Sequence, residues 1–363
     1  MTRSSPPVDE TVHDHPSERS NSSARSMRID PRDRRVFIMT RYHFMDSLRG
    51  FALFGILLVN VLDITEISAA STGRALLDHT VQSRFVPIFT LLFGVSMYLI
   101  ADGARRRGVG AWQPLVLRLL GLGLIGVVHS FAYSGDILRM YAIVGLLVLP
   151  LVVWAPAPVN VVVGGALTVV SFGFLGGGVD SLPGLVLVGA GAAQLGVPAL
   201  MEKSVVPGLV LTCAAGAAAI PLMMSYISAG AGDPRFSLPG AQAGLAMALA
   251  YIGILALAWQ WAPIRAALRA VFDPLGKMSL TNYVSASFVV LVAARVFGLF
   301  DADSVYPAMG VAVVLIATQS VSSRIWLSKF RYGPLEWILR AVTWRRRPPF
   351  RRETAHVSTT SAA

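Results

Sequence analysis

Charge is scarce along this sequence. Only 14% of its 363 residues are Asp, Glu, Lys or Arg, against about 25% in a soluble domain. That shortage excludes an ordinary water-soluble globule, and with it any domain count taken from length alone. Cysteine is nearly absent. Cys213 stands by itself in an apolar run, so neither an intrachain disulfide nor a thiolate metal site can be built. The six histidines are scattered, and without a His-Glu-x-x-His pair on one helix face a zinc hydrolase has no support. No Gly-x-x-x-x-Gly-Lys-Ser/Thr loop is present, which argues against an ATP-driven pump within the chain. Gly-x-Ser-x-Gly is missing, and neither Gly176–Gly178 nor Gly108–Gly110 follows a dinucleotide fingerprint. No metal is expected.

What is there is apolar. Hydrophobic residues make up 54% of the chain and the mean hydropathy is +0.61. Most stretches come near the roughly 17–25 residues that cross a bilayer as helix: Phe44–Ile64, Phe85–Ala101, Trp112–Phe131, Ile137–Trp154, Val159–Leu175, Leu182–Leu200, Val205–Ile227, Ala241–Trp261, Met278–Phe297 and Tyr306–Trp326. They predict an all-α, polytopic transmembrane helix bundle of about ten spans, with the lipid bilayer as its partner. Eight is the alternative, because the break at Met201–Ser204 between Pro198 and Pro207 is very short. Residues 1–41 are rich in Ser, Pro, Asp, Glu and Arg, and predict a disordered cytoplasmic tail. The tail lacks the short apolar core of a signal peptide and is expected to stay on the mature protein. Its His13 and His15 read as solvated. Residues 42–204 would hold the N-terminal spans and the candidate site, 205–344 a C-terminal transmembrane domain, and 345–363 a basic disordered tail.

The charges set an orientation. Arg32, Arg34, Arg35 and Arg41 precede the first span, Arg105–Arg107 follow the second, Arg265, Arg269 and Lys277 lie between the eighth and ninth, and Arg345–Arg347, Arg351 and Arg352 follow the last. With ten spans all of these fall on one side, which the positive-inside rule makes cytoplasmic, so both termini are expected inside. The net charge of +11 is explained this way without nucleic acid. The opposite loops carry Asp63, Glu66, Asp78, Asp136, Asp180, Asp233, Asp301 and Asp303.

A few polar residues interrupt the spans. Arg49 and Asn60 are eleven residues apart, and at about 100° per residue they share one helix face, with Asp46 about 60° from Arg49. The third span repeats the interval with Arg118 and His129. For one helix, a terminal arginine snorkelling to headgroups is the simpler account; on two helices the pattern resembles a polar path. His129, Tyr133, Ser134 and Asp136 gather in the turn after that span. A histidine beside a carboxylate is a common base near neutral pH, although a loop histidine capping a helix end explains the stretch equally.

Five stretches carry a resemblance. They are R-Y-H-F-M-D-S-L-R-G-F-A-L-F-G-I-L-L-V-N-V (Arg41–Val61), R-F-V-P-I-F-T-L-L-F-G (Arg84–Gly94), G-V-V-H-S-F-A-Y-S-G-D-I-L (Gly126–Leu138), G-K-M-S-L-T-N-Y (Gly276–Tyr283) and W-L-S-K-F-R-Y-G-P-L-E-W-I-L-R-A-V-T (Trp326–Thr343). In this order they resemble the YeiB-like family, bacterial inner-membrane proteins with a C-terminal domain of unknown function. The first-helix pattern D-x-x-R-G…V-N is also similar to that of the heparan-alpha-glucosaminide N-acetyltransferases, and Asp46, Arg49 and Asn60 match it. Their catalytic histidine lies in the loop after the first helix, where this chain offers only His79. His129 instead matches the YeiB-like G-x-x-H…G-D-I-L pattern. Its interval to Asp136 is one residue shorter than in the family, which on a continuous helix would rotate the pair apart by about 100°.

The resemblance implies a membrane-embedded acyltransferase with acyl-CoA as cytoplasmic co-substrate. Arg49 and Arg118, with Arg105–Arg107, would hold its phosphates, and Asp46 would partner Arg49. His129 would act as base, Asp136 would orient it, and Asn60 would steady the oxyanion. The acceptor is open, and a homo-oligomer is compatible with the chain. The rival is a proton-coupled carrier using His129, Asp136 and Arg295. A third reading, an assembly protein, explains Gly276–Tyr283 and Arg331–Trp337 as packing but leaves the outer histidine unexplained.

Overall fold

The computed structural model describes residues 42–67, 71–230 and 232–352. The tail expected over residues 1–41, with its two histidines, lies outside the described residues, as does everything from 353 onward. The helices are α1 (His43–Thr65), α2 (Thr72–Thr80), α3 (Phe85–Arg105), α4 (Trp112–His129), α5 (Leu138–Trp154), α6 (Ala157–Val170), α7 (Leu182–Gln194), α8 (Val197–Lys203), α9 (Val205–Ser228), α10 (Leu238–Gln260), α11 (Ala262–Lys277), α12 (Ser279–Val296), α13 (Val305–Lys329) and α14 (Pro334–Trp344). Among the described residues there is no paired sheet, only an isolated bridge between Phe330 and Arg351.

Among the described residues, eight segments are long and apolar enough to cross a membrane, and α7 with α8 makes a ninth if the bent pair counts as one span. The pair bends by 68° at Gly196, whose φ of 76° is left-handed, with Pro198 unable to continue the donor ladder just beyond it. α5 is a shorter apolar helix of 17 residues. The ten apolar stretches therefore recur in order as ten helical elements, one of them broken. The chain is an all-α, multi-pass membrane protein.

Three amphipathic helices sit outside that pattern: α2, α11 and α14. α11 packs along α1, and the crossing depends on two glycines. A Cβ on Gly50 would lie 2.0 Å from the Phe272 carbonyl oxygen, and one on Gly276 would lie 1.8 Å from that of Asp46. Only hydrogen fits at these points, so the backbones touch. The first and fourth family stretches thus meet at one helix crossing.

The fourth and fifth stretches meet through Glu336. Its carboxylate accepts hydrogen bonds from Leu280 N at 2.7 Å, Thr281 N at 3.0 Å and Thr281 Oγ1 at 2.5 Å. Thr281 Oγ1 accepts in turn from Leu335 N at 3.1 Å. A carboxylate there caps the start of α12 and sits in the first turn of α14, where the helix dipoles favour negative charge. Residues 345–352, assigned to a disordered tail on composition, fold back instead: Arg331 N donates to Phe350 O at 2.9 Å and Arg352 N to Lys329 O at 3.0 Å. The reason is Phe350, whose ring packs against Phe330, Trp326 and Trp337.

Candidate active site

α4 ends at His129 because the chain turns there. The His129 carbonyl receives both Ala132 N and Tyr133 N, and Asp136 N returns to Tyr133 O. Asp136 then caps α5, its Oδ2 accepting from Arg139 N at 3.2 Å. This compact turn places Asp136 Oδ1 2.7 Å from His129 Nδ1. The residues between the two are not helical, so the 100° rotation expected for a shortened helical interval does not apply. Gly126 makes the closure possible, since a Cβ on it would come 2.9 Å from Asp136 Oδ2 and 2.8 Å from Arg139 N.

Both side chains are wholly buried. The imidazole packs against the rings of Tyr283 at 5.1 Å, Tyr133 at 6.2 Å and Phe288 at 6.3 Å. Nε2 has no hydrogen-bond partner. With Nδ1 on a carboxylate, the proton belongs on Nδ1 and the lone pair on Nε2. Such a nitrogen can take a proton from an acceptor group.

Asn60 reaches the same region from α1. Tyr133 Oη lies 3.3 Å from Asn60 Oδ1 and 3.3 Å from Asp63 Oδ2. Burial, reinforced by Asp63, pushes the Tyr133 hydroxyl well above its ordinary range, so the phenol stays protonated and donates. Beyond Asp63 runs a chain of ion pairs. Arg235 Nη1 binds Asp63 at 2.7 Å and its Nη2 binds Asp233 at 2.6 Å, while Arg74 joins Asp233 at 3.3 Å to Asp78 at 3.0 Å. Burial acts to raise the Asp233 pKa, but the hydrogen bonds and charge of Arg235 outweigh it and hold that carboxyl below its ordinary range.

About 16 Å along α1 from Asn60 lies the basic end. Arg49 donates to Asp46 at 3.2 Å and to Ser96 Oγ at 2.8 Å. Arg118 lies in the electrostatic range of Arg49, Arg340 and Glu336. The two expected arginines are therefore within electrostatic range of each other. Arg105–Arg107 are otherwise engaged: Arg105 reaches the Val153 carbonyl, Arg106 pairs with Asp102 at 2.8 Å, and Arg107 stacks 4.4 Å over Trp344. His79 packs edge-on against Tyr226 at 5.7 Å, in α2. Arg295 is exposed near the end of α12 and forms no ion pair with Asp136.

Tyr133 and Asp63 stood out in the sequence, but their link to each other and to Arg235 is made only by the tertiary fold, and Tyr283 had a bland explanation as helix packing. The middle of the bundle holds more polar groups: Asn282 Nδ2 donates to Ser323 Oγ at 3.0 Å, and Gln319 Nε2 donates to Asn282 O at 2.9 Å. Among the described residues no cluster of three or more His, Cys, Asp or Glu is arranged to hold a metal.

Comparison with known proteins finds uncharacterized relatives. Residues 194–346 match the family described as "Protein of unknown function (DUF418)". An uncharacterized 39.9 kDa protein in the amylase 3' region of Bacillus acidopullulyticus is 29% identical, over 84% of this chain and 94% of its own length. The uncharacterized YxaH of Bacillus subtilis (strain 168) is 25% identical over 86% and 97% of the two chains. The uncharacterized YeiB of Escherichia coli (strain K12) is 26% identical over 86% and 98%. No solved structure matches. The relatives align over nearly their whole length, and together with the DUF418 match over residues 194–346 they support a YeiB-like family.

Proposed function

We propose that this protein is a membrane-embedded acyltransferase of the bacterial plasma membrane. It moves an acyl group from cytoplasmic acyl-CoA to a hydroxyl or amine at the outer side. The observation that carries this reading is the buried His129–Asp136 pair, with Nδ1 on the carboxylate and Nε2 unpartnered. An ionisable side chain buried within a membrane bundle is costly and rare, and by default marks a functional site.

Arg49 and Arg118 sit close enough to repel, and an anion between them would relieve that repulsion. CoA phosphates suit this place, since guanidinium groups make charge-assisted bonds to phosphate oxygens. Asp46 holds Arg49 in position. His129 Nε2 takes the proton of the acceptor as its oxygen or nitrogen bonds to the thioester carbonyl carbon. The carbon–sulfur bond then breaks, and the proton passes from His129 to the departing sulfur, so CoA leaves as a thiol. Asp136 keeps the ring in its working tautomer throughout.

A proton-coupled carrier is the second reading, favoured by the ionisable groups that run from Arg74 and Asp78 to His129. Acyl transfer by purified protein separates the two. His129→Gln keeps size and hydrogen bonding yet should lose about 10²–10⁴-fold of the transfer rate. Undiminished transfer in that variant would remove His129 from the chemistry.

A further inference from the structure

A small cavity lies at the junction of α1, α12 and α13, lined by Asn60, Asn282, Tyr283, Gln319 and three apolar side chains. Its volume is about 10 Å³, room for one oxygen-sized atom or water. We infer that this cavity is the oxyanion pocket of the acyl transfer, and that Tyr283 is its second donor beside Asn60. The inference rests on the acyltransferase reading and adds a catalytic residue to it.

The hydrogen-bond inventory selects the donors. Gln319 spends its amide nitrogen on Asn282 O at 2.9 Å and Ser285 Oγ at 3.4 Å. Asn282 is turned to Ser323, giving it one of its two amide hydrogens at 3.0 Å and facing the same hydroxyl with Oδ1 at 3.3 Å. Asn60 is oriented the other way round. Its Oδ1 faces the Tyr133 hydroxyl at 3.3 Å, which leaves Nδ2 with two hydrogens to offer. Tyr283 is 7% exposed, lines the cavity and packs 5.1 Å ring to ring with His129, so its ring lies between base and cavity, and its hydroxyl also meets the Ile137 backbone. A phenol carries one hydrogen to give.

The chemistry needs such a pair. When the acceptor attacks, the carbonyl oxygen of the thioester gains negative charge in a site that excludes water. Preorganised donors are worth most there. A cavity sized for one oxygen, lined by Asn60 and Tyr283 and one ring away from the base, suits that demand. The apolar lining from Leu53, Leu57 and Ala286 suits an acyl carbon better than a solvated group.

The test uses the full chain in detergent, in a Cys213→Ala background, with acetyl-CoA as probe and water as acceptor. Release of free thiol is followed. Tyr283→Phe keeps the ring against His129 and should lower kcat by about 10²–10³-fold, with KM for acetyl-CoA changed less than about twofold. Asn60→Leu should behave alike, and both variants should keep the thermal stabilisation that CoA gives the wild type. A kcat preserved in Tyr283→Phe, or a loss confined to KM, overturns this inference while leaving the acyltransferase reading in place. If the wild type neither releases thiol nor is stabilised by CoA, the acyltransferase reading falls and takes the pocket with it.

Discussion

The chemistry proposed for His129 rests on the different surroundings of its two nitrogens. One is held by a buried carboxylate at 2.7 Å and the other is unpartnered. Gly126 is the residue on which this depends. Gly126→Ala would force a methyl group against Asp136 and Arg139 N, an overpacking that costs about 1–3 kcal/mol. We expect a lower thermal midpoint and a larger loss of transfer than of folded protein, read by comparing rate per folded molecule with yield. The residues themselves were visible in the sequence, since His129, Asp136, Arg49, Arg118 and Asn60 interrupt apolar runs. Their pairing was not. Whether His129 meets Asp136 depends on backbone turns at residues 130–137 that carry no periodicity, and Tyr133 reaches Asn60 across 73 positions of chain.

Among the elements, the helices that hydropathy reveals were legible because each buries or presents apolar surface over a bilayer's thickness. The helices it overlooks do the joining. α11 and α14 mix charge with apolar residues, so a search for long apolar runs passes over them, yet α11 crosses α1 at Gly50 and Gly276 and α14 caps α12 through Glu336. Replacing Gly276 with valine should separate α1 from α11 and abolish accumulation of folded protein. Glu336→Ala is milder: it strands two backbone N–H groups, at about 1–3 kcal/mol for each one left unsatisfied, and a fall in thermal midpoint would record it. The ion pairs around Arg235 give a pH signature. Asp233 has its folded pKa depressed chiefly by Arg235, so its contribution is present above the ordinary carboxylate range. It is lost as pH falls below about 4. Thermal midpoints should drop in that window, and less so in Asp233→Asn.

For the whole molecule, the alternation of basic and acidic ends is the widest statement, and labelling tests it. Single cysteines at Ser134 and Gly232, in a Cys213→Ala background, should react with an impermeant thiol reagent on intact cells. One at Gly108 should not, and its labelling from outside would invert the bundle and displace acyl-CoA from the basic end. The central claim, that this end receives acyl-CoA for His129, is tested most directly by thermal unfolding of the purified protein with CoA. At about a hundred times the dissociation constant a ligand stabilises its folded receptor by roughly 2.7 kcal/mol, a shift of a few degrees for a chain of this size. The account predicts that shift in the wild type, a reduced one in Arg49→Ala and Arg118→Ala, and nearly the full one in His129→Ala. A wild-type melting curve unmoved by CoA or acyl-CoA, even when either is in large excess, would contradict it and leave the carrier as the better reading.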